Sequence, residues 1–209
     1  MKLLMLTVVL GSAAAVDAQS LTPPQIEAAI EAGQSGRERQ LYSRCQATAG
    51  FLDRVLVGPD FHPDAEHFHV SFSLTPGRIS SLAAAAKRLY KPYTPAEVPA
   101  ALRTLAVFVE AEPHQPAAGS SYTVSAIEHV VLKSQNGVVV QPDDFKTARV
   151  EWGAAEGLRA APNRASVRFP VGAVRELPSG DFDVVLVTQG GERRCKVGAG
   201  DRARLFGGR

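Results

Sequence analysis

The chain has 209 residues, 45% of them hydrophobic and 21% charged, which is the profile of a folding chain of about one domain rather than a disordered one. A formal charge of +2 gives no whole-chain argument for nucleic-acid binding, and no nucleic-acid partner is expected. Two cysteines exclude a dense disulfide scaffold and a four-thiolate zinc site.

Residues 1–18 read as a cleaved export signal. Lys2 is the lone positive charge, residues 3–10 are nearly all apolar, and residues 11–16 are small. Val16 and Ala18 occupy the positions a signal peptidase reads. The apolar run is too short to span a bilayer comfortably, and no later stretch approaches a span. The expected mature chain begins at Gln19 and is soluble outside the cytoplasm, in the periplasm or the medium. An oxidising compartment allows one internal pairing, Cys45 with Cys195, and this disulfide is the expectation. The alternatives are two buried thiols or an intermolecular bond.

Downstream, Thr22-Pro23-Pro24-Gln25 has the form of a capping box, followed by Ile26, Ala29 and Ile30 at helical spacing. Gly33 and Gly36 close that helix. Residues 38–49 are expected to form a second helical stretch carrying Cys45, with a loop as the alternative. Residues 51–57 read as a strand, and residues 60–66 as a polar loop. Residues 67–74 alternate, with Phe68, Val70, Phe72 and Leu74 on one face and His67, His69, Ser71 and Ser73 on the other. Thr75-Pro76-Gly77 is a turn. Ile79, Leu82, Ala86 and Leu89 mark the apolar face of an amphipathic helix, with Lys87 and Arg88 in its last turn. Thr94-Pro95-Ala96-Glu97 is a second capping box, which Pro99 limits to a turn or two.

Strand patterns dominate from residue 104. Residues 104–111 alternate, 113–121 form a loop, and 122–134 are a long strand candidate. Asn136-Gly137 is a hairpin signal with 138–140 as its return strand. Further strands are expected at 145–152, 166–169, 182–188 and 192–197, the last two joined through Gly190-Gly191. The fold class is therefore α+β, with N-terminal helices packed on a mainly antiparallel sheet and a β-rich C-terminal half. Residues 19–152 form an α+β domain, and 153–209 a hairpin-rich extension of the same domain.

The basic C-terminal end includes Arg193, Arg194 and Lys196. It reads either as a contact for an anionic surface, such as phospholipid head groups, or as a charged strand edge that resists sheet-to-sheet association.

No phosphate loop, nucleophile elbow or calcium loop occurs, so a non-catalytic binding or structural module is the primary expectation. Two rivals use residues 60–73. In the first, His67 and His69 share a strand face with Cα atoms about 7 Å apart and converge with His62 on zinc or copper. In the second, His69-Val70-Ser71-Phe72 resembles one copy of the His–apolar–hydroxyl–apolar motif of two-histidine phosphoesterases. That resemblance implies a hydrolase in which His69 and His129 act as acid and base and Ser71 holds phosphate. The second copy, His129-Val130-Val131-Leu132, departs from the motif, because Val131 stands where the hydroxyl belongs. His114, between Pro113 and Pro116, reads as a solvated loop residue.

Overall fold

Alternation along β2 (Phe68–Leu74) separates the two faces of the first sheet. In the computed structural model, which describes residues 19–36, 44–47, 68–114, 125–150, 163–178 and 180–206, Phe68, Val70 and Phe72 are fully buried. His69, between them, is exposed on the opposite face. β1 (Arg44–Ala47), β2, β3 (Ala106–Pro113), β7 (Asn163–Pro170) and β6 (Asp144–Arg149) pair antiparallel in that spatial order. β5 (Val139–Val140), β4 (Ile127–Ser134), β8 (Phe182–Thr188) and β9 (Gly191–Val197) form a second antiparallel sheet.

The inner faces of the two sheets enclose one apolar core, in which Phe72 and Phe169 of the first sheet join Leu132, Leu186 and Val197 of the second. Phe72 and Phe182 meet edge to face with ring centroids 6.5 Å apart. The outer face of the first sheet carries a helical layer. There α1 (Pro23–Gln34) contributes Ile26, Ala29 and Ile30, and α2 (Thr75–Arg88) contributes Ile79 and Ala83, against Ala106 and Phe108. β3 is therefore covered on both faces, which accounts for its unbroken apolar run over residues 105–109. The architecture is α+β, with strands mostly in the C-terminal half.

Local signals placed several elements. Gln25 Oε1 accepts the Thr22 N–H at 2.8 Å, and Glu97 Oε2 accepts the Thr94 N–H at 2.6 Å, so both capping boxes form. The second box heads only a 3-10 turn, Pro95–Glu97. Gly137 supplies the positive φ of 83° that the β4–β5 turn needs. α3 (Val171–Glu176) and α4 (Ala199–Leu205) complete the order, and neither had a capping signal strong enough to announce it.

Three expectations are corrected. Within 38–49, residues 44–47 form a strand rather than a helix, with Cys45 opposite Val70. Extending the first sheet beyond β2 outweighs a weak helical tendency in so short a stretch. The turn expected at residues 75–77 is the opening of α2. The face of α2 also differs: it buries Thr75, Ile79, Ser80 and Ala83, while Leu82 and Leu89 are 39% and 65% exposed. The expected strand at 51–57 and loop at 60–66 lie outside the described residues.

Thr75 ties the helical layer to the sheet. Its buried hydroxyl donates to the Thr104 carbonyl at 2.8 Å and accepts the Ala106 N–H at 2.8 Å. Thr75→Val keeps the shape and strands both backbone groups in a dry site. Chemical denaturation should show a loss of about 2 kcal/mol, with Thr75→Ser largely spared. Equal stability of all three proteins would contradict this role.

Candidate functional site

β3 stops pairing where proline removes the donor. Pro113 faces Phe68 in the last matched pair, and Glu112 faces His69. His114 then continues the alternation of Phe108, Glu110 and Glu112 toward the outer face. As a diagonal neighbour of His69 it comes within reach. His69 Nε2 and His114 Nδ1 are 2.9 Å apart, with ring centroids at 5.1 Å and planes inclined by 71°. One ring nitrogen donates and the other accepts, in a direction set by tautomer. His69 is exposed and His114 half-buried, so the pair sits at the rim of the sheet.

The surrounding face is polar. Ser71 lies opposite Glu110, and Arg78 of α2 reaches across to pair with the Glu110 carboxylate. The Arg78 guanidinium also lies 5.8 Å from the Phe108 ring centroid. This pair marks where the helical layer ends and the open outer face begins. Glu112, across from His69, is exposed.

His62 and His67 lie outside the described residues. Among the described residues no group of three or more His, Cys, Asp or Glu could hold a metal ion. The structure instead couples His69 with His114, for which the sequence alone predicts a solvated loop position. The period of β3, carried three residues past Ala111, was the signal that would have found it.

The phosphoesterase geometry is not met. His69 and Ser71 sit on the outer face of the first sheet, whereas β4, which carries His129, belongs to the sheet packed on its inner face. His129 Nε2 is hydrogen-bonded to Gln141 Oε1 at 2.8 Å, and its ring packs 5.8 Å from Phe145. The two histidines have different partners and belong to different sheets.

On β9, Cys195 and Val197 are buried while Arg194 and Lys196 are exposed. Arg194 pairs with Glu192 at 2.6 Å, and Lys196 with Asp181 at 2.6 Å. Half-buried Arg193 donates to the Gly190 carbonyl at 3.1 Å. Much of the charge expected to meet an anionic surface is thus matched within the fold.

Asp181 also accepts the Ala199 N–H at 2.9 Å, which anchors the start of α4. The Lys196 hydrogen bond, followed by the Ala199 N–H, holds this carboxyl below the usual aspartate range. Because its pKa falls on folding, the anchor is present above the ordinary aspartate pKa and lost as pH drops through the lowered one. The Ala199 amide resonance should therefore titrate at lower pH than a free aspartate. Titration at the ordinary value would contradict the pairing.

Among the described residues no helix is long and apolar enough to cross a membrane. Comparison with protein-family models, curated proteins and solved structures gives no match.

Proposed function

We propose that this chain is an exported, non-catalytic binding module that captures a transition-metal ion, zinc or copper, between His69 and His114. One observation carries the reading: two imidazole nitrogens, one from β2 and one from the residue just past β3, lie 2.9 Å apart on an accessible rim. Zinc–nitrogen bonds near 2.0–2.1 Å separate two tetrahedral ligands by about 3.3 Å. A shift of a few tenths of an ångström therefore admits an ion in place of the shared proton. Imidazole suits both zinc and copper. No third His, Cys, Asp or Glu joins the pair among the described residues, so water fills the remaining positions of an open site.

Export fits the same reading. Cleavage after Ala18 leaves intact the first contacts of the fold, from the Gln19 carbonyl to the Leu105 N–H at 2.7 Å and from the Leu21 N–H to the Arg103 carbonyl at 2.8 Å. A Cys45–Cys195 disulfide belongs to the proposal. In its support, Cys195 is buried, no free cysteine occurs among the described residues, the chain has one other cysteine, and β1 adjoins β9.

Calorimetric titration of the exported protein with zinc decides the metal reading. One ion should bind the wild type, and His69→Ala and His114→Ala should each weaken binding at least ten-fold. Wild-type protein that takes up no zinc or copper, or a His114→Ala protein that binds as well as wild type, would sink the proposal.

A further inference from the structure

The C-terminal end of α2 combines backbone strain, exposed apolar side chains and exposed cations. The Lys91 N–H bonds to the Ala86 carbonyl and the Tyr90 N–H to the Lys87 carbonyl, both at 2.9 Å. This is the Schellman closure, which places its C′ residue in the left-handed region and normally uses glycine there. Here that residue is Tyr90, at φ 54°, the one non-glycine residue with positive φ among the described residues. Its side chain gains no burial in return, because Tyr90 is 99% exposed and Leu89 beside it 65%. The tip is nevertheless held firmly. Lys87 donates to the Gln34 carbonyl, and Gln34 donates to the Tyr93 carbonyl at 3.1 Å, joining the ends of α1 and α2.

Charge indicates what the tip meets. Lys87, Arg88 and Lys91 are all exposed around Leu89 and Tyr90, and none of them forms an ion pair among the described residues. An aromatic ring with a polar end, a neighbouring aliphatic side chain and a collar of cations match the head-group layer of an anionic bilayer. The cations meet lipid phosphates while the phenol and leucine enter the boundary of the acyl chains. We infer that residues 87–91 form a peripheral docking tip for an anionic lipid surface, with Tyr90 and Leu89 inserted and Lys87, Arg88 and Lys91 on the head groups. This surface shares no residue with the His69–His114 pair and does not depend on metal binding.

Co-sedimentation of the exported protein with vesicles tests it, using phosphatidylglycerol mixed with phosphatidylcholine against phosphatidylcholine alone. Binding should favour the anionic vesicles by on the order of a hundred-fold, and fall about five-fold for each of Lys87→Gln, Arg88→Gln and Lys91→Gln. Tyr90→Gly supplies the decisive contrast. Glycine relieves the left-handed strain, so this variant should unfold no earlier than wild type while binding anionic vesicles more weakly. Equal partition onto both vesicle types, no partition onto either, or a Tyr90→Gly protein that sediments like wild type would each overturn the inference. A tip that instead docks a protein pocket gives the second of these results.

Discussion

The proposed Cys45–Cys195 bridge predicts that reductant lowers the thermal midpoint by up to about 10–20 °C. The loop closed by this bond holds about 150 residues, and the chain-entropy model assigns such a loop about 5 kcal/mol as an upper value. For a domain of this size each kcal/mol moves the midpoint by about 2–4 °C. The effect has a structural focus as well. Among the described residues β1 is a four-residue edge strand whose ladder runs from Arg44–Ser71 to Ala47–Phe68. β9, on the other sheet, carries buried Cys195. The proposed bond between these strands would hold the two sheets together at one border of the core. Hydrogen exchange should therefore rise first along residues 44–47 when reductant is added. Identical melting of oxidised and reduced protein, or two alkylatable thiols in the unreduced denatured chain, would remove the bridge.

Gly33→Ala will destabilise the fold by about 2 kcal/mol or more even though alanine is the better helix former. A Cβ at residue 33 would lie 2.1 Å from the Ser80 carbonyl oxygen and 3.0 Å from the Ala83 Cβ. The first of these is backbone and cannot swing aside. Helix propensity favours alanine by about 1 kcal/mol, whereas overpacking a tight contact costs about 1–3 kcal/mol and sometimes more, so the clash wins. α1 and α2 must separate, which opens the cluster of Ile26, Ile30, Ile79 and Phe108. Gly36→Ala serves as the control, since nothing lies within 4 Å of its added Cβ and only the positive φ of 71° resists it. Urea midpoints should fall further for Gly33→Ala than for Gly36→Ala. The reverse order would show that the helices do not touch at Gly33.

This crossing also explains what the sequence could and could not disclose. Capping boxes at Thr22 and Thr94, alternation in residues 68–74 and the Asn136-Gly137 turn are local signals, and each became the element it implied. The face of α2 depended instead on a partner. Leucine spacing pointed to Leu82 and Leu89, but the close approach at Gly33 selects the small side chains of Ser80 and Ala83 together with Ile79. β1 likewise exists because β2 offers an edge, which no local propensity records. His69 and His114 are 45 residues apart, and their meeting follows from the β2–β3 register. The His-x-His spacing of His67 and His69 points to one strand, while the second imidazole comes from the residue just past the end of the neighbouring one.

The paired imidazoles themselves offer the sharpest test of metal capture. Long-range proton–nitrogen spectra of the histidine side chains, recorded before and after one equivalent of zinc, report each ring nitrogen separately. Zinc should move His69 Nε2 and His114 Nδ1 together, from a shared hydrogen bond to two metal-bound nitrogens, while His129, held by Gln141, keeps its resonances. Unchanged signals from His69 and His114 at saturating zinc would mean that the contact is structural and the pair binds no ion.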